Sequence, residues 1–149
     1  MRKAIRLSIK SVESGGGPFG AVIVRDGKEI ASGANRVTKM LDPTAHAEIV
    51  AIRKAAGKLK DFNLSGCEIY TSCEPCPMCL SAIYWARIDK IYYANTKKDA
   101  QDIGFDDSFI YRQLELPEDK RMIPVVKLLR DEAVEAFEIW REKEDKTEY

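Results

Sequence analysis

The sequence predicts an α/β domain of three layers, helix on sheet on helix, around a mixed and mostly parallel five-stranded sheet. Three observations point there. Runs rich in strand formers alternate with helical runs along most of the chain. The first two strands are joined by a tight turn, and the later ones are separated by helices, so one hairpin is followed by parallel additions. The 149 residues suffice for one compact core, with 45% hydrophobic and 32% charged residues, an ordinary globular balance. A single domain is therefore expected over 1–149, with a C-terminal helix and tail over 131–149.

Each element has its own reason. In "RKAIRLSIKSVE", Ile5, Ile9 and Val12 fall on one face of a helix, with Leu7 beside it. "ESGGGPFG" breaks that helix, because Pro18 cannot continue it and glycine adopts conformations closed to other residues. "GAVIVRDGKEIASGAN" reads as two strands around Asp26-Gly27. "LDPT" offers Asp42 as a cap and Pro43 as a helix-opening residue, with a helix through about Leu59. "CEIYTSC" is a strand, "PCPMCLSAIYWAR" a helix opened by prolines, and "KIYYANT" a strand. The stretch 99–121 is irregular with a short helix or two, "IPVVKLL" is the fifth strand, and "DEAVEAFEIWREKE" is a last helix with Val134, Phe137 and Trp140 at three-residue spacing.

The totals exclude some functions. Basic and acidic residues number 24 each, which argues against the basic excess of a nucleic-acid-binding surface. No apolar run approaches the roughly 18–20 residues of a membrane helix. The start "MRKAIRLSIKSVE" lacks the apolar core of a signal peptide, so a cytoplasmic protein is expected. Cysteines at 67, 73, 76 and 79 suggest metal or catalysis rather than disulfides in a reducing compartment.

The chemistry concentrates in "PTAHAEIVAIRKAA" and "TSCEPCPMCLSAIYWA". Cys76 and Cys79 share one face of the first turn of a helix, where the positive helix end favours thiolates. His46, the one histidine, opens another helix. Two sulfurs and an imidazole suit Zn²⁺, and three protein ligands leave a fourth position for water, the mark of a catalytic site. Glu48 lies two residues from His46 and converges on the same ion only if that ion sits over the helix end. It is then the general base and acid rather than a ligand. A core histidine with a backbone partner and an accidental C-x-x-C are the bland alternatives. H-A-E followed by P-C-P-M-C, each opening a helix, is far more specific than either. Cys73 is a fourth-ligand candidate or a buried strand-end thiol, with the latter favoured, and Cys67 reads as core.

These motifs resemble the cytidine deaminase-like zinc superfamily, whose nucleobase deaminases carry H-x-E and P-C-x-x-C. "GFDDSFIY" and the closing "EY" are similar to the bacterial guanine deaminases within it. The resemblance runs from "GGPFGAVIV" to the last residue and implies hydrolysis of guanine to xanthine and ammonia with one zinc per chain. It implies Asn35 and Asp107 as readers of the purine edge, Ala47 as a further substrate contact, and Phe19 and Trp85 as walls of the ring. Tyr149 is implied as part of a tail closing over an active site, its own or a neighbour's. Asp106 is expected to be a helix cap. Exposed apolar faces on the last helices suggest a homodimer. The rivals are a deaminase of cytosine or of adenosine in tRNA, and a zinc-stabilised binding module, which has no need of Glu48.

Overall fold

The computed structural model describes residues 1–148; Tyr149 lies outside the described residues. The chain forms two compact units, residues 1–107 and the residues from Ser108 onward.

In the first unit the order is α1 (Arg2–Glu13), β1 (Gly20–Arg25), β2 (Lys28–Ala34), α2 (Val37–Met40), α3 (Ala47–Leu59), β3 (Cys67–Cys73), α4 (Pro77–Trp85), β4 (Lys90–Asn95) and α5 (Lys97–Asp102). The sheet runs β2-β1-β3-β4. The β1–β2 and β1–β3 pairings are antiparallel, and β3–β4 is parallel. The described residues thus form four strands rather than the five expected, with antiparallel pairing predominant.

Two glycines define the layers. Gly20 pairs with Ala34 and Gly33 with Ala21 across the hairpin, so Gly20 and Gly33 present opposite faces of the sheet. A Cβ on Gly20 would lie 2.3 Å from the Ala4 carbonyl oxygen of α1. A Cβ on Gly33 would lie 2.3 Å from the Ala47 carbonyl oxygen of α3. Hence α1 covers one face and α3 the other, giving the three layers expected. Ala21, Ile23, Ile69, Ala47, Ala51 and Ile83 join in the core between the sheet and the α3–α4 layer.

Three local expectations are corrected. The buried side chains of α1 are Ala4 and Ser11, whereas Ile5, Ile9 and Val12 are 38–54% exposed. α1 lies on Gly20 through the Ala4 carbonyl, Leu7 Cβ and the Ser8 amide, and on Gly16 through Ser11, which leaves the face bearing Ile5, Ile9 and Val12 turned outward. Second, α3 starts after His46 rather than at Pro43. Asp42 caps a turn instead, its carboxylate accepting from the Thr44 amide and hydroxyl at 2.8 and 2.7 Å. Third, α2, which the pattern does not predict, spans only four residues.

The second unit holds α6 (Ser108–Glu115), a 3₁₀ turn at Glu118–Lys120 and α7 (Arg130–Glu142). The expected strand "IPVVKLL" forms no pairing, and Ile123, Val126 and Leu128 are 77–80% exposed. Strand propensity is not sufficient without a hydrogen-bonding edge to complete it.

Candidate active site and metal centre

Two helix starts bring the metal-ligating side chains together. His46 is the N-cap of α3 and Cys76 the N-cap of α4, both in extended backbone conformation. Pro77 fixes the first helical position after Cys76, where a missing N–H costs nothing. Cys79 follows one turn later and is fully buried.

His46 Nδ1 lies 3.6 Å from Cys76 Sγ and 3.5 Å from Cys79 Sγ. Zinc bonds of about 2.0–2.1 Å to nitrogen and about 2.3 Å to sulfur, at a tetrahedral angle, place those atoms about 3.6 Å apart. The spacing therefore fits one tetrahedral ion, and the three donor atoms all lie within 4.8 Å of one another. His46, Cys76 and Cys79 are positioned to coordinate one zinc, leaving a fourth position that no further His, Cys, Asp or Glu fills among the described residues.

The electrostatics suit the same task. The Cys76 thiol is pulled down to about 4, first by the hydrogen bond it receives from Cys79 and also by His46 and the Cys79 amide. That amide belongs to the first turn of α4, so the helix end itself holds the thiolate. Cys79 is pushed up, first because its proton is held against Cys76, then by burial and the Glu48 charge. His46 is raised by its hydrogen bond to Cys76. Metal binding to such a set releases the protons its ligands carry.

Glu48 is the second residue of α3 and only 7% exposed. Burial raises its carboxyl above the ordinary carboxylate range, while its own backbone amide and the Cys79 thiol act the other way. Contact with Cys79 puts this carboxyl beside the metal ligands.

Cys73 turns elsewhere. Its Sγ donates to the Thr96 carbonyl at 3.5 Å, and burial holds the thiol up at about 11, where it stays protonated. Cys67 is wholly buried in the core.

The expected substrate contacts separate into those the first unit gathers and those it does not. Asn35 follows β2; its amide N–H donates to the Phe19 carbonyl at 3.0 Å, and its Oδ1 accepts from Val37 at 3.2 Å. With Oδ1 taken, Nδ2 is the group left to donate. Gly17 packs so closely that a Cβ there would lie 3.3 Å from Asn35 Cγ and from a Phe19 ring carbon. Phe19 is half-buried against the core and meets Phe105 edge-on, with ring centroids 5.0 Å apart. Ala47 is fully buried at the start of α3. Asp107 is half-buried; burial, then the charge of Cys76, raises its carboxyl, which places it within electrostatic reach of the metal site. Trp85 is 65% exposed and borders a surface cavity of about 390 Å³ with Ser81, Tyr84 and Arg87. Tyr149 lies outside the described residues.

Phe105 has no counterpart among the sequence expectations. The available signals are its place in "GFDDSFIY" and beside Gly104, a glycine at φ +93° that turns the chain after α5.

Residues 1–95 match the family described as the cytidine and deoxycytidylate deaminase zinc-binding region. The guanine deaminase of Bacillus subtilis strain 168 is 51% identical over 150 aligned residues, which cover 100% of this chain and 96% of that protein. An X-ray structure of Bacillus subtilis guanine deaminase superposes with a TM-score of 0.96 at 51% identity, over 99% of this chain and 95% of that one. A tRNA-specific adenosine deaminase of Aquifex aeolicus is 40% identical over 98 residues, 66% of this chain and 65% of that protein. With a donor set spaced for one tetrahedral zinc and a full-length relative at half identity, the chain belongs to the cytidine and deoxycytidylate deaminase family of zinc enzymes, within its guanine deaminases.

Proposed function

We infer that this protein hydrolyses guanine to xanthine and ammonia. The observation that carries the chemistry is the buried Glu48 carboxyl beside a three-donor site. A structural zinc site is closed by four protein ligands and has no use for a buried acid at its edge. Zinc, when bound, supplies a Lewis acid that makes water nucleophilic near neutral pH.

Glu48 takes a proton from the water that attacks C2 of the purine. It delivers that proton to a ring nitrogen, takes the remaining proton from the new hydroxyl on C2, and passes it to the 2-amino group, whose bond to C2 breaks as ammonia leaves and the C2 carbonyl forms. A carboxyl raised by burial can hold a proton and still release it, as this relay needs. Asp107 accepts from the N–H groups of the purine edge, and Asn35 donates from Nδ2 to a carbonyl or ring nitrogen. Phe19 and Ala47 bound the ring. Trp85 and Tyr149 enter the proposal through family resemblance.

Similarity to the tRNA-specific adenosine deaminase supports one rival, adenosine in tRNA. The balance of 24 basic and 24 acidic residues counts against it. Ammonia release from guanine, cytosine, adenine and an anticodon stem-loop separates the readings: turnover is expected on guanine, and turnover on the stem-loop alone overturns the assignment.

We also propose that the enzyme is a cytoplasmic homodimer. The apolar side chains of α7, with Phe137 73% and Ile139 62% exposed, support the dimer, and four free thiols suit a reducing compartment. No helix among the described residues is long and apolar enough to cross a membrane. Sedimentation at micromolar concentration giving only monomer would remove the dimer.

A further inference from the structure

The turn that bears Cys76 is tied to the segment that bears Asp107. The Glu74 amide donates to the Asn95 carbonyl at 2.8 Å, where β4 ends. The Glu74 carboxylate accepts from the backbone amide of Lys97 at 3.1 Å, the first residue of α5. Thr96 and Asp99 form a capping box at the same end, with bonds of 2.7 and 3.2 Å. The first amide of α5 lies outside that box and is held by Glu74. At the far end of α5, Gly104 and Phe105 donate to the carbonyls of Gln101 and Ala100, both at 2.9 Å. Phe105 then meets Phe19 edge-on, and Asp107 follows two residues later.

We propose that Glu74 is a positioning residue, which fixes α5 to the metal-bearing turn and thereby sets Asp107 at a defined place relative to the zinc. Its carboxylate is not among the donors gathered at the metal site and is engaged by the Lys97 amide. Its carboxylate works as a cap borrowed from a neighbouring loop, satisfying an orphan amide of α5. Since α5 spans six residues, a short helix depends heavily on such bonds. The purpose of the link is registration: the ion fixes where C2 must lie, and Asp107 fixes where the opposite edge lies. An error of about 1 Å between the two can cost on the order of a hundredfold in rate. The inference rests on the proposed reading of guanine by Asp107.

The test compares Glu74→Ala, Glu74→Gln, Asp107→Ala and the Glu74→Ala/Asp107→Ala double variant in the zinc-loaded full chain. Glu74→Ala should keep its zinc and lose at least about tenfold in kcat/KM on guanine, mostly through KM. Glu74→Gln, whose amide oxygen still accepts the Lys97 N–H, should recover most of that loss. Because Glu74 acts through Asp107, the double variant should be no worse than Asp107→Ala. Hydrogen exchange across 97–107 should quicken in Glu74→Ala alone, with exchange in α3 unchanged. Loss of zinc in Glu74→Ala, additive losses in the double variant, or unaltered exchange across 97–107 each overturn the proposal. The exchange measurement does not depend on the substrate. A parent inactive on guanine would therefore defeat the substrate reading, while the exchange result still decides whether Glu74 holds α5.

Discussion

Gly33→Ala should damage the metal centre without touching it. Gly33 lies on β2 directly beneath α3. An added Cβ would sit 2.3 Å from the Ala47 carbonyl oxygen, 2.8 Å from the Ala51 amide nitrogen and 3.1 Å from Val50 Cβ. Two of these atoms are backbone, so no rotamer change relieves the clash. Ordinary contact begins at 3.4 Å, and α3 must therefore retreat by about 1 Å or β2 must bow by as much. Overpacking of this kind costs roughly 1–3 kcal/mol. For a chain of this size that lowers Tm by about 3–10 °C. The displaced end of α3 is the one that starts immediately after His46 and carries Glu48. Metal–ligand distances hold within about 0.2 Å, so the shift should weaken zinc by at least about tenfold. Gly57→Ala is the matched control, since it lies in the same helix with nothing within 4 Å of its added Cβ. That substitution should stabilise by about 0.5–1 kcal/mol through helix propensity. Calorimetry of the zinc-loaded and chelated proteins, with zinc affinity by competition against a chromophoric chelator, reads both effects. A Gly33→Ala protein with the parent's Tm and zinc affinity would refute the close packing of α3 on β2.

Four further outcomes follow from the site. Glu48→Gln keeps the shape of the side chain but cannot relay a proton, so turnover on guanine should fall by at least about a hundredfold with zinc retained; activity within tenfold of the parent would move the proton relay elsewhere. Cys73→Ser should leave zinc stoichiometry unchanged by atomic absorption, because that thiol faces the Thr96 carbonyl; loss of metal would make Cys73 a fourth ligand. Asp107→Ala should lower guanine kcat/KM by at least about tenfold, the worth of a charge-assisted bond of roughly 1.5–3 kcal/mol, while Asp106→Ala does much less; the reverse order would shift the assignment by one residue. Asp107 also has a signature in stability. Burial and the Cys76 charge raise its carboxyl above the ordinary 3.8, so the folded protein holds this proton more tightly than the unfolded chain. Its adverse contribution grows as pH rises from 3.8 through the raised value and vanishes below it. Metal-free Asp107→Asn should therefore melt above the metal-free parent at pH 7, and the gap should close as pH falls toward about 4; a gap that widens on acidification would reject the shift.

The metal-ligating set was legible in the sequence because its chemistry is local. Cysteines three apart behind a proline put two sulfurs on one helix end whatever the rest of the chain does, and both C-x-x-C and H-x-E declare a helix start. The hairpin at Asp26-Gly27 and the strands 67–73 and 90–95 were legible for the same reason, since turn chemistry and β-branched or aromatic runs act over a few residues. Tertiary structure decided what depends on a distant surface. Apolar spacing in α1 points to Ile5, Ile9 and Val12, yet close approach to Gly20 buries Ala4 and close approach to Gly16 buries Ser11. Pro43 and Asp42 carry a helix-start signal, yet α3 begins just after His46, its N-cap, where the imidazole meets Cys76 and Cys79. "IPVVKLL" carries the composition of a strand, but a strand exists only through its partner, and among the described residues it has none. The approach of Phe105 to Phe19 and the reach of Glu74 to Lys97 join segments 86 and 23 residues apart. No sequence period carries such information, because these contacts form only when the sheet has set its strands in order.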